Sequence, residues 1–380
     1  MRFAFVSAMF GSPWGGSEEL WSQAATQLKR AGHDVQASVM YWPRLSEKVT
    51  ALAQHGIRLG TYPSYRAGRV RSLWDQFSLS YRRSYGRLKR FKPDLAVISQ
   101  GYNSGGLDWA RICREAAIPY VMIVHCNSES WWFREQFGEA VASYTGARRV
   151  FCVSRGNLDL LRLQVAEPLL NAEVVCNPYN VSPQLPPAWP DESGGWRLAC
   201  VSRIELAAKG QDLLLQTLAR PEWRSRPVEL NVFGAGPDEL GLRRLCGMLQ
   251  LNNVYFRGHV KGIRAIWEQN HLLVLPSRYE GLPLALVEAM WCARPAVVTD
   301  VGGNGELCVD NETGFVAPAA TVSSFAQTLQ RAWEQRKAWP SLGQAARARV
   351  ENQIPKDPVG LFCARLKACA EAKAEGVSAG

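Results

Sequence analysis

Ser277-Arg-Tyr-Glu280-Gly-Leu-Pro-Leu-Ala-Leu-Val-Glu288 follows the apolar run His271-Leu-Leu-Val-Leu275 and passes into a helical pattern from about Pro283. One carboxylate therefore sits on the loop that leaves a buried strand. The other sits on the first turns of the next helix. Between them a glycine-containing turn opens that helix. Backbone N–H groups at a helix start hold anions, and flanking carboxylates accept hydrogen bonds from hydroxyls. The arrangement suits a ligand that carries phosphates between two polyols, which is the constitution of a nucleotide sugar.

Short apolar runs alternate with helical patterns on both sides of this segment. Candidate strands begin near Arg2, Asp34, Asp94, Pro119 and Arg149, and again near Trp196, Val228, Asn253, His271 and Pro295. Ser17 to Ala31 places Leu20, Trp21, Ala24, Ala25, Leu28 and Ala31 on one helical face. Strands alternating with helices predict parallel sheets covered on both faces. The two series are separated by residues 177–195, where five prolines and Gly194-Gly195 read as a linker. The predicted domains are 1–176 and 196–355, followed by a C-terminal helical segment, 356–380, that could pack back on the first domain. Ligands of open parallel sheets bind beyond the carboxyl ends of the strands, and two such sheets facing each other would enclose a cleft.

A chain of 380 residues exceeds what one core usually serves. With 47% hydrophobic and 21% charged residues it reads as an ordinary globular protein. No run reaches membrane-spanning length, and Met1-Arg-Phe-Ala-Phe-Val-Ser7 reads as a strand, not a secretory signal. The ten cysteines form no C-x-x-C pair and read as reduced core thiols of a cytoplasmic protein. No zinc site is expected from them.

The net charge of +10 is concentrated. Between Arg66 and Lys92 stand Arg66, Arg69, Arg71, Arg82, Arg83, Arg87, Lys89, Arg90 and Lys92 against Asp75 alone, with Trp74, Phe77, Tyr81 and Tyr85 interleaved. One reading is a solvated face. The other is attraction to an anionic membrane surface or acceptor, which would place the protein peripherally at the inner face of the membrane. No nucleic-acid motif accompanies the charge.

Four segments carry the chemistry. The first is Phe10-Gly-Ser-Pro-Trp14-Gly15-Gly16-Ser-Glu-Glu19, where two glycines before a helix let backbone approach a ligand. Taken alone, a plain turn with Ser17 as helix N-cap is the commoner explanation. It is not G-x-G-x-x-G, so a nicotinamide dinucleotide loses its usual support. The second is Ser202-Arg203-Ile-Glu-Leu-Ala-Ala-Lys209-Gly210, which puts two cations beyond a strand end. Surface cations are the alternative. The third pairs Val232-Phe-Gly234-Ala-Gly236 with Arg257-Gly-His-Val260, either bordering a base and sugar through backbone or serving as turns. The fourth is the Glu280–Glu288 segment followed by Asp300-Val-Gly302-Gly303.

On the E-x7-E pair Glu280/Glu288, the Arg203…Lys209-Gly210 pair, the Gly15-Gly16 loop and Asp300-x-Gly302-Gly303, the chain resembles the retaining glycosyltransferases of family 4 with the two-domain GT-B fold. The likeness covers nearly the whole chain in order. It implies two Rossmann-like parallel-sheet domains, the first on the acceptor side and the second for the nucleotide sugar, facing across a cleft whose closure excludes water. It implies a nucleotide-diphosphate sugar as donor and a glycan or lipid-linked acceptor, in cell-surface polysaccharide, lipopolysaccharide or glycolipid synthesis.

The resemblance also assigns roles. Arg203 and Lys209 would bind the diphosphate, aided by backbone around Gly281, Leu282, Pro283 and Leu284. Glu288 would hold the ribose, Glu280 the donor sugar, and Val260 and Gly234 would border the base. His125 would contact the donor sugar, and Gly15 and Gly16 would line the donor. Asn127, Ser128, Glu129, Trp131, Trp132 and Trp14 would lie on the acceptor side, although a packing role for Trp14 and a structural role for His125 remain open readings. No D-x-D occurs in the sequence, and no metal or other cofactor is expected. The competing readings are a nucleotide-sugar epimerase or phosphorylase of similar architecture, and a non-catalytic membrane- or carbohydrate-binding protein.

Overall fold

The computed structural model describes residues 1–63, 79–181, 185–260 and 262–372. Of the basic stretch, Arg66, Arg69, Arg71, Trp74, Asp75 and Phe77 lie outside the described residues. The chain divides into two units: Met1–Pro178 together with the helix Pro358–Glu371, and Tyr179–Lys356.

The first unit holds β1 (Arg2–Ala8), β2 (Asp34–Met40), β3 (Arg58–Tyr62), β4 (Leu95–Gln100), β5 (Tyr120–Val124), β6 (Arg149–Cys152) and β7 (Ala172–Val174), in the order β3-β2-β1-β4-β5-β6-β7. Every pairing is parallel. Alternate residues feed opposite faces of the sheet. Ala4, Val6, Ala96, Ile98, Met122 and Val124 pack on one face, and Phe3, Phe5, Leu95, Val97, Val121 and Ile123 on the other. Burial on both faces explains why β5 and the first four residues of β4 read as continuous apolar runs.

The second face is covered by the helix Gly16–Arg30, through Leu20, Trp21, Ala24, Ala25 and Leu28, and by Pro358–Glu371, through Phe362, Cys363 and Leu366. Phe362 meets Phe151 edge-on at 5.2 Å. Arg365 donates to the Val174 carbonyl at 2.8 Å, which ties the last helix to the sheet margin.

The second unit holds β8 (Trp196–Val201), β9 (Val228–Phe233), β10 (Val254–Gly258), β11 (Leu272–Leu275), β12 (Ala296–Thr299) and β13 (Gly314–Ala317), in the order β10-β9-β8-β11-β12-β13, again all parallel. Its core gathers Leu198, Cys200, Leu214, Leu230, Val232, Leu272, Val274, Phe315, Phe325 and Leu329. Arg294 is fully buried among carbonyls of Trp267, Asn270, Cys292 and Ala188. Burial without a carboxylate partner lowers its pKa to about 10. Its bond to Ala188, at 2.7 Å, fastens the proline-rich stretch to this unit.

The expectation of two parallel α/β sheets holds. Three strands, β3, β7 and β13, had no counterpart in the sequence reading. All three are sheet margins, with a single strand neighbour and three to five residues each. A margin needs no long apolar run, so the signal there is weak. No helix among the described residues is long and apolar enough to cross a membrane.

Candidate functional site

In each sheet the strand order reverses once, between β1 and β4 in the first and between β8 and β11 in the second. Such crossovers open a crevice beyond the strand ends.

In the second unit, β8 delivers Ser202 and Arg203 to that crevice and β11 delivers Ser277 to Glu280. Lys209 closes a single helical turn, Leu206–Lys209, and Gly210 follows in the left-handed conformation at φ +62°. A Cβ on Gly210 would lie 2.1 Å from the Pro276 carbonyl, so only glycine lets this turn rest on the β11 exit loop. The result is a contact of 2.7 Å between Lys209 Nζ and Glu280 Oε1. Ser277 donates to the same oxygen at 2.8 Å.

Glu280 is buried and Lys209 four-fifths covered. A buried carboxylate is tolerable when it is paired and hydrogen-bonded. An ammonium carries three donors, so the pair leaves Lys209 with donors beyond the one Glu280 uses. Arg203 pairs with Glu205, and its five donors likewise exceed that single contact.

The backbone around Glu280 is braced from β12. The loop Asp300-Val-Gly302-Gly303 turns at Gly302, φ +57°, where a Cβ would sit 2.3 Å from the Glu280 carbonyl. Gly303 donates its N–H to Gly281 at 2.6 Å. The helix Leu284–Trp291 starts with Pro283 at its N-cap and no side-chain cap. Proline has no N–H, and Leu286 and Val287 donate theirs to the Pro283 carbonyl, so anion donors here belong to Leu282, Leu284 and Ala285.

Glu288 lies buried in this helix, and its Oε1 accepts both the backbone N–H and the side-chain amide of Asn180, each at 3.2 Å. Gly234 follows β9 and donates to the Gly258 carbonyl at 2.8 Å, joining β9 to the margin strand β10 near half-buried Val260.

Several residues here escaped the sequence reading. Gln211 donates to Ser202 Oγ at 2.9 Å and to the Arg203 carbonyl at 2.8 Å, fixing the Arg203 loop. Its Oε1 is buried without a hydrogen-bond partner. Arg278 and Asp212 form a two-bond pair at 2.8 Å each. Asp238 accepts from the Leu206 N–H at 2.8 Å and so anchors the Lys209 turn. Adjacency to Lys209-Gly210 was the signal available for Gln211 and Asp212. Asn180 and Asp238 carried none.

In the first unit, Gly15 is the N-cap of the helix Gly16–Arg30. Ser17 is not the cap, a correction to the sequence reading; its hydroxyl lies 3.3 Å from Met9 Sδ. The first turn of that helix buries Glu18 and Glu19. Glu18 accepts from Ser7 Oγ at 3.0 Å and from Trp21 Nε1 at 2.9 Å. Burial outweighs these bonds and raises its pKa to about 7. Trp14 donates its indole N–H to Glu19 at 2.9 Å, and Lys48 pairs with the same carboxylate.

His125 leaves β5 and is buried, with Nε2 3.1 Å from Ser99 Oγ. Its Nδ1 is buried without a hydrogen-bond partner. Desolvation lowers its pKa to about 3, so the ring is neutral at physiological pH. Asn127 is buried in an amide cluster, donating to the Asn157 carbonyl at 2.8 Å and accepting from Asn157 Nδ2 at 2.6 Å. Gln164 donates to the Ser128 and Trp131 carbonyls at 2.8 and 2.9 Å. Trp131 meets Tyr102 edge-on at 4.8 Å. Glu129 is exposed, as is Trp132. No cluster of three or more His, Cys, Asp or Glu that could hold a metal occurs among the described residues.

Comparison with known proteins adds to this geometry. The sequence model described as Glycosyltransferase Family 4 matches residues 14–208, and that described as Glycosyl transferases group 1 matches residues 196–335. The α-D-kanosaminyltransferase of Streptomyces kanamyceticus is 33% identical over 135 residues, 34% of each chain. The matched stretch spans about a third of the length of such curated relatives.

Among solved structures, Anabaena HepE in complex with UDP-glucose superposes with a TM-score of 0.75 at 18% identity, covering 97% of this chain and 99% of that one. A point mutant of S. aureus TarM, in complex with fondaparinux, α-GlcNAc-glycerol and UDP, gives 0.72 at 12%, covering 96% and 99%. The fold is GT-B.

Proposed function

The chain belongs to glycosyltransferase family 4, and from that premise we propose that it moves a sugar from a nucleotide-diphosphate donor to a hydroxyl of a glycan or lipid-linked acceptor, with retention at the anomeric carbon. The observation that carries this reading is the Lys209–Glu280 contact at the β8/β11 crossover, with Glu288 in the second turn of the helix that follows. A cation held against a carboxylate at a strand crossover suits a ligand that is anionic at its centre and rich in hydroxyls beside it.

Lys209 and Arg203 take the diphosphate, and the N–H groups after Gly281 share it. As the bond from the anomeric carbon to the phosphate oxygen breaks, negative charge grows on the diphosphate. Cations and dipoles already in place stabilise that charge without reorganising. The sugar becomes oxocarbenium-like, with Glu280 orienting it and neutral His125 assigned to its hydroxyls. Glu288 holds the ribose, and backbone near Gly234 and Val260 borders the base. The acceptor hydroxyl attacks from the face that the phosphate leaves, and its proton passes to the departing phosphate oxygen.

The two cations supply the countercharge, so we assign no metal to the reaction. Gly15, Gly16, Trp14 and the Asn127–Trp131 segment are assigned to the donor rim and the acceptor side. The acceptor belongs to cell-surface polysaccharide or glycolipid synthesis, and attachment at the inner membrane face is part of the same reading.

UDP occurs in the HepE and TarM complexes, which makes UDP-sugars the first donors to try. Product detection with UDP-, GDP-, ADP- and TDP-sugars, with and without EDTA, tests the assignment. Transfer that survives EDTA and is lost in Lys209→Ala and Glu280→Gln supports it. Wild-type turnover in both variants removes it.

A further inference from the structure

The basic helix Leu79–Phe91 contributes to an open cavity at the margin of the first sheet. Its volume is about 290 Å³, and Gln36, Arg58, Gly60, Arg87, Arg90 and Phe91 lie among its lining residues. At roughly 30 Å³ per water it has room for a small hydrated anion. Three guanidinium groups from two elements converge on it. Arg58 comes from the first residue of β3, whereas Arg87 and Arg90 come from the last turns of the helix. The strand-end crevice takes its residues from the opposite ends of the strands, so the cavity is separate from it.

The three arginines are unevenly satisfied. Arg58 pairs with Asp34 and lies 4.7 Å over the Phe91 ring. Arg87 donates through Nη2 to the Thr61 carbonyl at 2.8 Å and to Ser84 Oγ at 3.3 Å, which leaves Nε and Nη1 free among the described residues. Arg90 is exposed and has no hydrogen bond or ion pair with the described residues. Asp34 is the one carboxylate paired with any of the three among the described residues. A cavity with three positive charges and one negative charge attracts an anion, and paired planar forks match the tetrahedral oxygens of a phosphoryl group.

Gly60 makes the arrangement possible. A Cβ there would lie 2.4 Å from Cζ of Arg87. The absent side chain is thus the space in which the guanidinium lies against β3. Any larger residue would displace it while leaving its charge on the protein.

We propose that the Arg58–Arg87–Arg90 cavity is a binding site for a phosphoryl anion, either a free phosphate ester or the phosphate of a lipid headgroup. The probe is inorganic pyrophosphate, titrated calorimetrically into the full-length chain. Arg203→Ala/Lys209→Ala serves as the background, in which the proposed donor site is weakened through both of its cations. One equivalent is expected to bind. Arg90→Ala, which breaks no bond, is expected to weaken binding severalfold. Arg87→Ala/Arg90→Ala is expected to weaken it about tenfold or more, and Gly60→Ala to weaken it at unchanged net charge.

Arg83→Ala/Lys89→Ala removes two charges from the same helix outside the cavity and is expected to change affinity little. Equal affinity in Arg90→Ala and Gly60→Ala, or an equal loss in Arg83→Ala/Lys89→Ala, overturns the site in favour of general charge. Sedimentation with phosphatidic acid vesicles separates the two sources. Capture that pyrophosphate reverses assigns the site to a lipid headgroup, and pyrophosphate binding without capture assigns it to a soluble phosphate ester. Dependence on Arg87, Arg90 and Gly60 in that double-variant background keeps this result distinguishable from the donor reading.

Discussion

The two strand crossovers of this protein are built from opposite materials. At the β8/β11 crossover, charges meet charges: Lys209 with Glu280, Arg203 with Glu205, Arg278 with Asp212. Around β1, β4 and β5, burial pushes groups toward neutrality. His125 is held uncharged, Glu18 titrates near 7, and amides satisfy amides. The contrast teaches where each half can act. A region of paired ions holds its cations in place for a second anion, at a desolvation cost already met in folding. A region of neutral donors and acceptors discriminates hydroxyl patterns, because an unmatched buried polar group costs about 1–3 kcal/mol.

The largest effect should come from the charged side. Lys209→Ala is expected to lower the transfer rate by about a hundred- to a thousandfold, as loss of one preorganised charge donor does elsewhere. Single-turnover kinetics at saturating donor would measure it. A fall smaller than tenfold would equate the two crossovers in importance.

Next comes the pH dependence of the neutral side. The Glu18 pKa is raised from 4.5 to about 7 on folding. The native state therefore holds a proton that the unfolded state releases. Its contribution is intact below about pH 4.5 and is lost as pH rises through 7, on the order of 3 kcal/mol in total. Buried neutral His125 and His271 work in the opposite direction, adding stability as pH rises through their unfolded value near 6.5. Denaturant titrations at pH 5 and pH 8 should therefore show Glu18→Gln gaining more stability over that interval than the wild type. A wild-type profile parallel to that of the variant would show that Glu18 is not buried as described.

Asn180→Ala should cost less, about 1.5 kcal/mol, because the buried Glu288 carboxylate would lose the side-chain amide donor and keep the backbone N–H of residue 180. Thermal unfolding with and without nucleotide reads both the loss of stability and any loss of binding. An unchanged midpoint would mean that Glu288 finds other donors. The smallest effect is expected at His125. Its ring should show no protonation between pH 5 and 8 by NMR, since its pKa is near 3. A titration near 6.5 would place it in water.

Legibility in the sequence followed the same contrast. The charged crossover could be read because Arg203, Lys209, Glu280 and Glu288 are sparse, charged and set beside glycines at strand ends. Interior strands such as Leu95–Gln100 could be read because burial on both faces leaves an apolar run. The margins β3, β7 and β13 could not, being short and bounded on one side. Nor could the Arg278–Asp212 pair or the Asn180 contact to Glu288, which join residues 66 and 108 positions apart. Ser17 has the residue type that suits a cap, whereas the chain places Gly15 there. The buried neutrality of His125 and Glu18 is a property of packing, which the identity of a residue does not carry.

The most direct measurement is calorimetric titration of nucleoside diphosphates, UDP first, into the wild-type chain, Arg203→Ala and Lys209→Ala. Saturable binding to the wild type that weakens at least about tenfold in each variant is the predicted result. Affinity in the variants equal to that of the wild type would contradict the central claim, that the ion-paired β8/β11 crossover grips the diphosphate.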